Sequence, residues 1–264
     1  LLNSPAYAED MADALTRSQG ADAVEDAVTR NLVRTMQRLY RGIMDDDYRS
    51  LAEVFLMRWD LAAVKALLRY RHHNVPVAEH IQELVPGPTM PVAVMRELAQ
   101  RESMPALVGG LVGWNAALCS PLQKALPDYE ATGKLGVLEE ALDKGYFAAN
   151  AAALAEADGE DRQLVRRALQ MEIDKINLRR LLTMRGDPET ASKLLPGGAI
   201  GRGTLEKMMA AGSQEQVVEL LAGTPYRSLA DGVYELVASG RYAQMERLFE
   251  REMIHQLRKA SRLH

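Results

Sequence analysis

Apolar residues recur along this chain at three- and four-residue intervals, in stretches separated by compact groups of turn formers. The clearest stretch runs from Leu164 to Leu182. Val165, Leu169, Ile173 and Ile176 repeat at helical spacing there, while Leu164, Ala168, Met171, Leu178 and Leu182 cover a neighbouring arc. So wide an apolar surface predicts a helix buried on more than one side. Turn signals gather from His72 to Pro76, Pro86 to Pro91, Gly186 to Pro188, Pro196 to Gly203 and Gly223 to Pro225, leaving segments of helical length between them. Strand-like alternation is hard to find, so the predicted fold class is all-α.

The same order of events occurs more than once. Residues 23–71 align with 137–185 without a gap. Val24-Glu25-Asp26-Ala27-Val28 lies on Leu138-Glu139-Glu140-Ala141-Leu142, and a third copy begins as Met245-Glu246-Arg247-Leu248-Phe249 at a further offset of 107. Trp59-Asp60-Leu61 falls on Ile173-Asp174-Lys175, with Lys65 on Arg179. Leu84-Val85-Pro86-Gly87-Pro88 then matches Leu194-Leu195-Pro196-Gly197-Gly198, followed by Ser103 on Ser213 and Gly113 on Gly223. Each unit therefore reads as an acidic helix, a second helix carrying an Asp, a Leu-x-Pro-Gly turn and shorter helices. Proline lacks the amide hydrogen and glycine tolerates positive φ, so the Pro-Gly pair stops a helix physically. These units divide the chain at residues 1–120, 121–232 and 233–264. A third Asp helix is expected near position 281, past His264, with exposed apolar surface where it is missing.

Composition narrows the class. An apolar content of 47% supports a large core and excludes disorder, while 5% aromatic residues beside abundant Ala, Leu, Met, Glu, Arg and Lys favour helix. A net charge of -4 from 36 acidic and 32 basic side chains leaves no basic tract for nucleic acid. The single cysteine, Cys119, allows no internal disulfide or thiolate metal site and reads as a buried hydrophobe. The most apolar stretch, Ala106 to Cys119, is interrupted by Gly109, Gly110, Gly113 and Asn115 and is too short to span a bilayer. No signal peptide is evident.

The fullest form of the pattern is Asp174, Asn177, Leu178, Arg180 and Leu181 before Leu194-Leu195-Pro196-Gly197-Gly198. It resembles the central-stalk C subunit of V-type rotary ATPases, known as the d subunit in eukaryotes, from about Val24 to the C-terminus. The first unit departs from it, with Ala63 at the Asn177 position and Pro88 at that of Gly198. The resemblance implies three helical units in a pseudo-threefold funnel, the third truncated. It also implies a non-catalytic rotor adaptor between the central-shaft subunits and the membrane proteolipid ring, coupling ATP hydrolysis or synthesis to proton or sodium transport. The expected place is peripheral, at the cytoplasmic face, with no cofactor, metal or catalytic residue. Arg58, Asp60, Glu172 and Asp174 are the candidate shaft contacts, or else ordinary helix-surface and inter-helix pairs. A generic α-helical scaffold is the alternative, but helical-pair repeats run about 30 to 47 residues against about 110 here.

Other chemistry has plainer explanations. His72 and His73 point about 100° apart on a helix, so with His80 they form a polar segment and not a zinc site. Gly197 to Thr204 looks like a phosphate loop but lacks the Gly-Lys-Ser/Thr ending and reads as an inter-helix turn. Asp45-Asp46-Asp47 suits a helix N-terminus. Arg30, Arg34, Arg38 and Arg41 form a basic stripe, read first as a solvated face and otherwise as a contact for an acidic partner. An enzyme would instead need a deep polar pocket with convergent titratable groups.

Overall fold

The computed structural model describes residues 4–76, 87, 89–155, 159–184, 186–187 and 189–260. Every regular element among the described residues is helical. The chain forms two compact units, Leu1–Tyr146 and Phe147–His264.

The first unit opens with a hairpin of α1 (Ala8–Ala14) and α2 (Gly20–Gly42), closed over Met11, Ala14, Ala23 and Ala27. The long α3 (Asp46–His72) carries Asp60 and is followed by α4 (Val92–Ala99), α5 (Met104–Trp114) and α6 (Ala116–Thr132). The helix α7 (Leu135–Ala155) contains the boundary between the units. Local chemistry explains where these helices begin. Asp45 Oδ1 accepts from the backbone N–H groups of Asp47 and Tyr48, and Asp46 and Asp47 add negative charge to the first turn of α3. Ser103 caps α5 and Asn115 caps α6 in the same manner. Val54, Val64, Leu67 and Leu68 of α3 are buried, and that helix packs against α4 and α5. Such aliphatic side chains contribute roughly 1.5–3 kcal/mol each when removed from water.

The second unit is organised around α8 (Glu160–Thr183), which carries Asp174. A short α9 (Thr190–Lys193) leads into the Leu194–Gly198 turn, then come α10 (Arg202–Ala210) and α11 (Gln214–Glu219), the latter running into a 3-10 turn. Ser213 caps α11 as Ser103 caps α5, so the aligned serines are equivalent helix starts. The hairpin of α12 (Ala230–Ala238) and α13 (Tyr242–Ala260) completes the unit. Leu178, Leu181 and Leu182 of α8 share one core with Val217, Leu221, Val233, Met245 and Phe249. Burial extends from Val165 and Leu169 round to Ala168, Met171 and Leu178, which is the wide apolar arc its sequence predicts.

Candidate functional site

The two repeated aspartates organise the most distinctive polar architecture in each unit. Asp174 is fully buried on α8. Its Oδ2 accepts from the backbone N–H of Ala199 at 2.6 Å and of Ile200 at 3.1 Å, and from the Tyr226 hydroxyl at 2.7 Å. Three residues further on, Asn177 lies on the same helix face. It pairs with Leu195 in both directions: Nδ2 donates to the carbonyl at 2.8 Å, and Oδ1 accepts from the N–H at 2.7 Å. The Asp-x-x-Asn spacing thus places two side chains so that one grips each end of the Leu-x-Pro-Gly-Gly turn.

Glycine is required at the grip for lack of space. A Cβ on Gly198 would stand 1.9 Å from Asp174 Oδ1, so only a hydrogen fits between backbone and carboxylate. Gly197 has φ of +94°, the region that glycine enters most readily.

Asp60 repeats the arrangement on α3 and is also fully buried. It accepts from the Met90 N–H at 3.0 Å and the Thr89 hydroxyl at 2.9 Å. Thr89 therefore supplies from within the turn the hydroxyl that Tyr226 brings from a distant position. A Cβ on Gly87 would meet Asp60 Oδ1 at 2.0 Å. The glycine against the carboxylate is thus Gly87 in the first unit and Gly198 in the second. Leu84, Val85, Pro86 and Pro88, which complete the first turn in the sequence alignment, lie outside the described residues.

Burial dominates the electrostatics here. Loss of hydration pushes the Asp60 carboxyl up to about 6 against the opposing effect of its hydrogen bonds, and raises Asp174 for the same reason. Tyr226 is raised too, first by burial and then by the neighbouring Asp174 carboxylate. Burial pushes the Cys119 thiol up to about 12, consistent with a small core hydrophobe.

Asp60 and Asp174, expected as contacts for a shaft, are enclosed, and their carboxylates hold the protein's own backbone. Arg58 and Glu172 are half-buried, and Glu172 pairs with Lys175 at 3.3 Å. Sequence pattern missed Tyr226 because its aligned position in the first unit is Ala116. Only the fold brings its hydroxyl to Asp174.

The remaining candidates resolve in the same physical terms. The glycine-rich loop does present backbone amides to an anion, and that anion is the internal Asp174 carboxylate. His72 Nδ1 meets the Tyr129 hydroxyl at 2.9 Å, and the His73 ring stands edge-on to His72; His80 lies outside the described residues. No group of three or more potential metal ligands occurs among the described residues. The basic stripe on α2 is not wholly solvated, which corrects the sequence expectation. Helix α1 packs on that face and supplies acids, Asp13 to Arg30 at 3.4 Å, and Glu9 and Asp10 to Arg34. Arg38 and Arg41 stay exposed.

One cavity of about 570 Å³ opens in the second unit, with Leu164, Met171, Pro225 and Tyr226 among its walls and the exposed cations Arg167 and Lys259 beside them. The lining residues include no carboxylate, imidazole or thiol.

These features define a helical repeat protein whose buried polar groups serve architecture. The chain belongs to the ATP synthase (C/AC39) subunit family, whose family model matches residues 1–264. That family is a structural, non-catalytic component of the stalk. The chain is 26% identical to the C subunit of the A-type ATP synthase of Methanosarcina acetivorans over 85% of its length, covering 58% of that relative. It is 26% identical to the protein of the same name from Methanocaldococcus jannaschii over 99% of its length and 66% of the relative's. It is also 28% identical to the C subunit of the V-type ATP synthase of Deinococcus radiodurans over 76% of its length and 55% of the relative's. The chain thus spans between about half and two thirds of these curated relatives.

Proposed function

We propose that this protein is the rotor adaptor of a V- or A-type ATP synthase, joining the central shaft to the membrane proteolipid ring so that ATP chemistry and proton or sodium movement are coupled. The observation carrying this reading is the family match along the whole chain. An adaptor of this kind needs stiffness, because a compliant joint stores torque as elastic strain. The two buried carboxylates support that requirement. Each fixes a helix to the turn that follows it through charge-assisted hydrogen bonds, stronger than neutral ones.

Three related units, bounded at residues 120 and 232 and arranged as a pseudo-threefold funnel, belong to the same reading, as does attachment at the cytoplasmic face through protein contacts. No helix among the described residues is long and apolar enough to cross a membrane, which accords with a peripheral place. Arg58 and Glu172 are the proposed shaft contacts. Asp60 and Asp174 act indirectly, by fixing the turns beside them.

The test is a pull-down with purified central-shaft subunits and, separately, detergent-solubilised proteolipid ring, using this chain beside a version extended to the length of its relatives. Saturable binding of the extended protein to both is expected. Binding to neither would leave a helical scaffold with a different partner.

A further inference from the structure

The cavity of the second unit lies between α8 and α13, which pack against each other. Leu164, Arg167 and Met171 stand three and four residues apart and so share one face of α8, and Gln256 and Lys259 stand three apart on α13. Ala199, Pro225 and Tyr226 close the cavity from two of the intervening loops. Its volume of about 570 Å³ falls within the roughly 300–1,000 Å³ usual for small-molecule sites.

The walls sort by polarity. Leu164, Met171, Pro225 and the ring of Tyr226 supply carbon. The Tyr226 hydroxyl donates to Asp174 at 2.7 Å and the Ala199 N–H at 2.6 Å, with the Ile200 N–H on the same oxygen at 3.1 Å. Those loop amides are therefore unavailable to a ligand, and an anion in the cavity has to be held by side chains. Two cations are placed for it. Arg167 and Lys259 are exposed and make no ion pair among the described residues, and no carboxylate lines the cavity to neutralise them. Elsewhere along the same two helices the charges are matched, Lys175 with Glu250 at 3.5 Å and Arg179 with Glu246 at 2.5 Å. Gln170 and Gln256 add amides beside the cations, and Gln256 is held by Glu252 at 3.0 Å.

The repeat does not demand this combination. In the first unit Ser50 aligns with Leu164, Glu53 with Arg167 and Ala116 with Tyr226. Glu53 accepts from the Tyr40 hydroxyl at 2.7 Å, so the aligned position there carries the opposite charge and is already engaged. The carbon wall and the cationic rim belong to the second unit's own sequence.

We infer that this cavity binds a single-chain anionic amphiphile, its alkyl chain against Leu164, Met171, Pro225 and Tyr226 and its carboxylate or phosphate head at Arg167 and Lys259. Charge complementarity carries the choice of occupant. A guanidinium can pair with two oxygens of either head group, and the lysine adds a second positive charge across the opening. The orientation follows from Asp174, which lies behind Tyr226 and Ala199: its charge opposes an anion at the inner wall, whereas the exposed cations attract one at the rim. A polar ligand of the same size, such as a nucleoside, would press hydrogen-bonding groups against carbon and leave them unpaired. The inference is independent of the rotor reading.

Decanoate, kept below its micellar concentration, is the probe, and Met171 in the cavity wall is the reporter. In methyl spectra of methionine-labelled protein, with the Met171 signal identified by Met171→Leu, that signal should shift saturably with one-to-one stoichiometry. Lengthening the probe from octanoate to decanoate should tighten binding about fourfold per methylene. Arg167→Ala combined with Lys259→Ala alters two exposed side chains, so the unfolding midpoint should hold while binding weakens at least fivefold. Leu164→Trp, which fills the cavity, should weaken it at least as much. Decyl phosphate run beside decanoate separates the two head chemistries, and saturable binding of either upholds the inference. Decan-1-ol binding as tightly as decanoate, a Kd that the double substitution leaves unchanged, or saturation without movement of the Met171 methyl overturns it. A Met171 signal that shifts with protein concentration alone assigns the cavity to a second copy and overturns it as well.

Discussion

Substituting Gly198 with alanine tests whether the turn is fixed by contact with Asp174 or by backbone conformation. The new Cβ would stand 1.9 Å from Asp174 Oδ1 and 2.7 Å from its Cγ, inside any real contact distance. The carboxylate cannot swing aside, because Ala199, Ile200 and Tyr226 all donate to it. Overpacking of this kind costs about 1–3 kcal/mol, and the pinned carboxylate places Gly198→Ala at about 3. Asp174→Ala strands three donors, two of them buried, and should cost about 3–5 kcal/mol. In that background the obstacle is gone, so adding Gly198→Ala should cost less than about 1 kcal/mol, a coupling of about 2 kcal/mol. Gly197→Ala is the control in the same turn. Its Cβ would meet Ile173 Cδ1 at an ordinary 3.6 Å, so its cost comes from φ of +94° and should add to that of Asp174→Ala. Urea unfolding of the single and double variants measures each free energy. Additivity of Gly198→Ala with Asp174→Ala within about 0.5 kcal/mol would refute the reasoning.

Two further outcomes follow from charge burial. The Asp60 carboxyl is pushed up to about 6 in the folded protein, against about 3.9 unfolded, so the folded state binds its proton more tightly. Its contribution to stability is complete below about pH 4 and is lost as pH rises through about 6, a change of about 3 kcal/mol at most. Stability of the parent minus that of Asp60→Asn should therefore fall across this window, and a flat difference in denaturation free energy would contradict the assignment. Asp174 is raised in the same direction and should act alike. Among the ion pairs of α8, Lys175 has 11% of its side chain exposed and lies near both Glu172 and Glu250, whereas Arg179 is 58% exposed. Lys175→Ala should cost about 1–2 kcal/mol and Arg179→Ala less than about 0.5, with the latter vanishing in 1 M salt. The reverse order in thermal or chemical unfolding would show that exposure does not govern these pairs.

Hydrophobic periodicity determined that the chain is helical and that α8 is buried round a wide arc, and the self-alignment of the sequence determined that an acidic helix, an Asp helix and a Pro-Gly turn recur in order. Those features are local: they depend on which residues lie three, four or seven positions apart, and on what proline and glycine do to the backbone. The pairing of Ser103 with Ser213 was legible for the same reason, since an N-cap acts within three residues of itself. The role of the aspartates was not. An Asp among apolar neighbours reads equally as a contact or an internal anchor until the turn 25 residues away closes on it, as Ala199 and Ile200 do on Asp174. Likewise, nothing in the sequence distinguishes Thr89 from Tyr226 as hydroxyl donors, because one acts across a turn and the other across the core. The Arg30 and Arg34 stripe looked solvated because the helix that neutralises it, α1, is fixed by packing and not by spacing. Tertiary structure decided which polar groups were desolvated, and desolvation determines whether a charge anchors the fold or faces a partner.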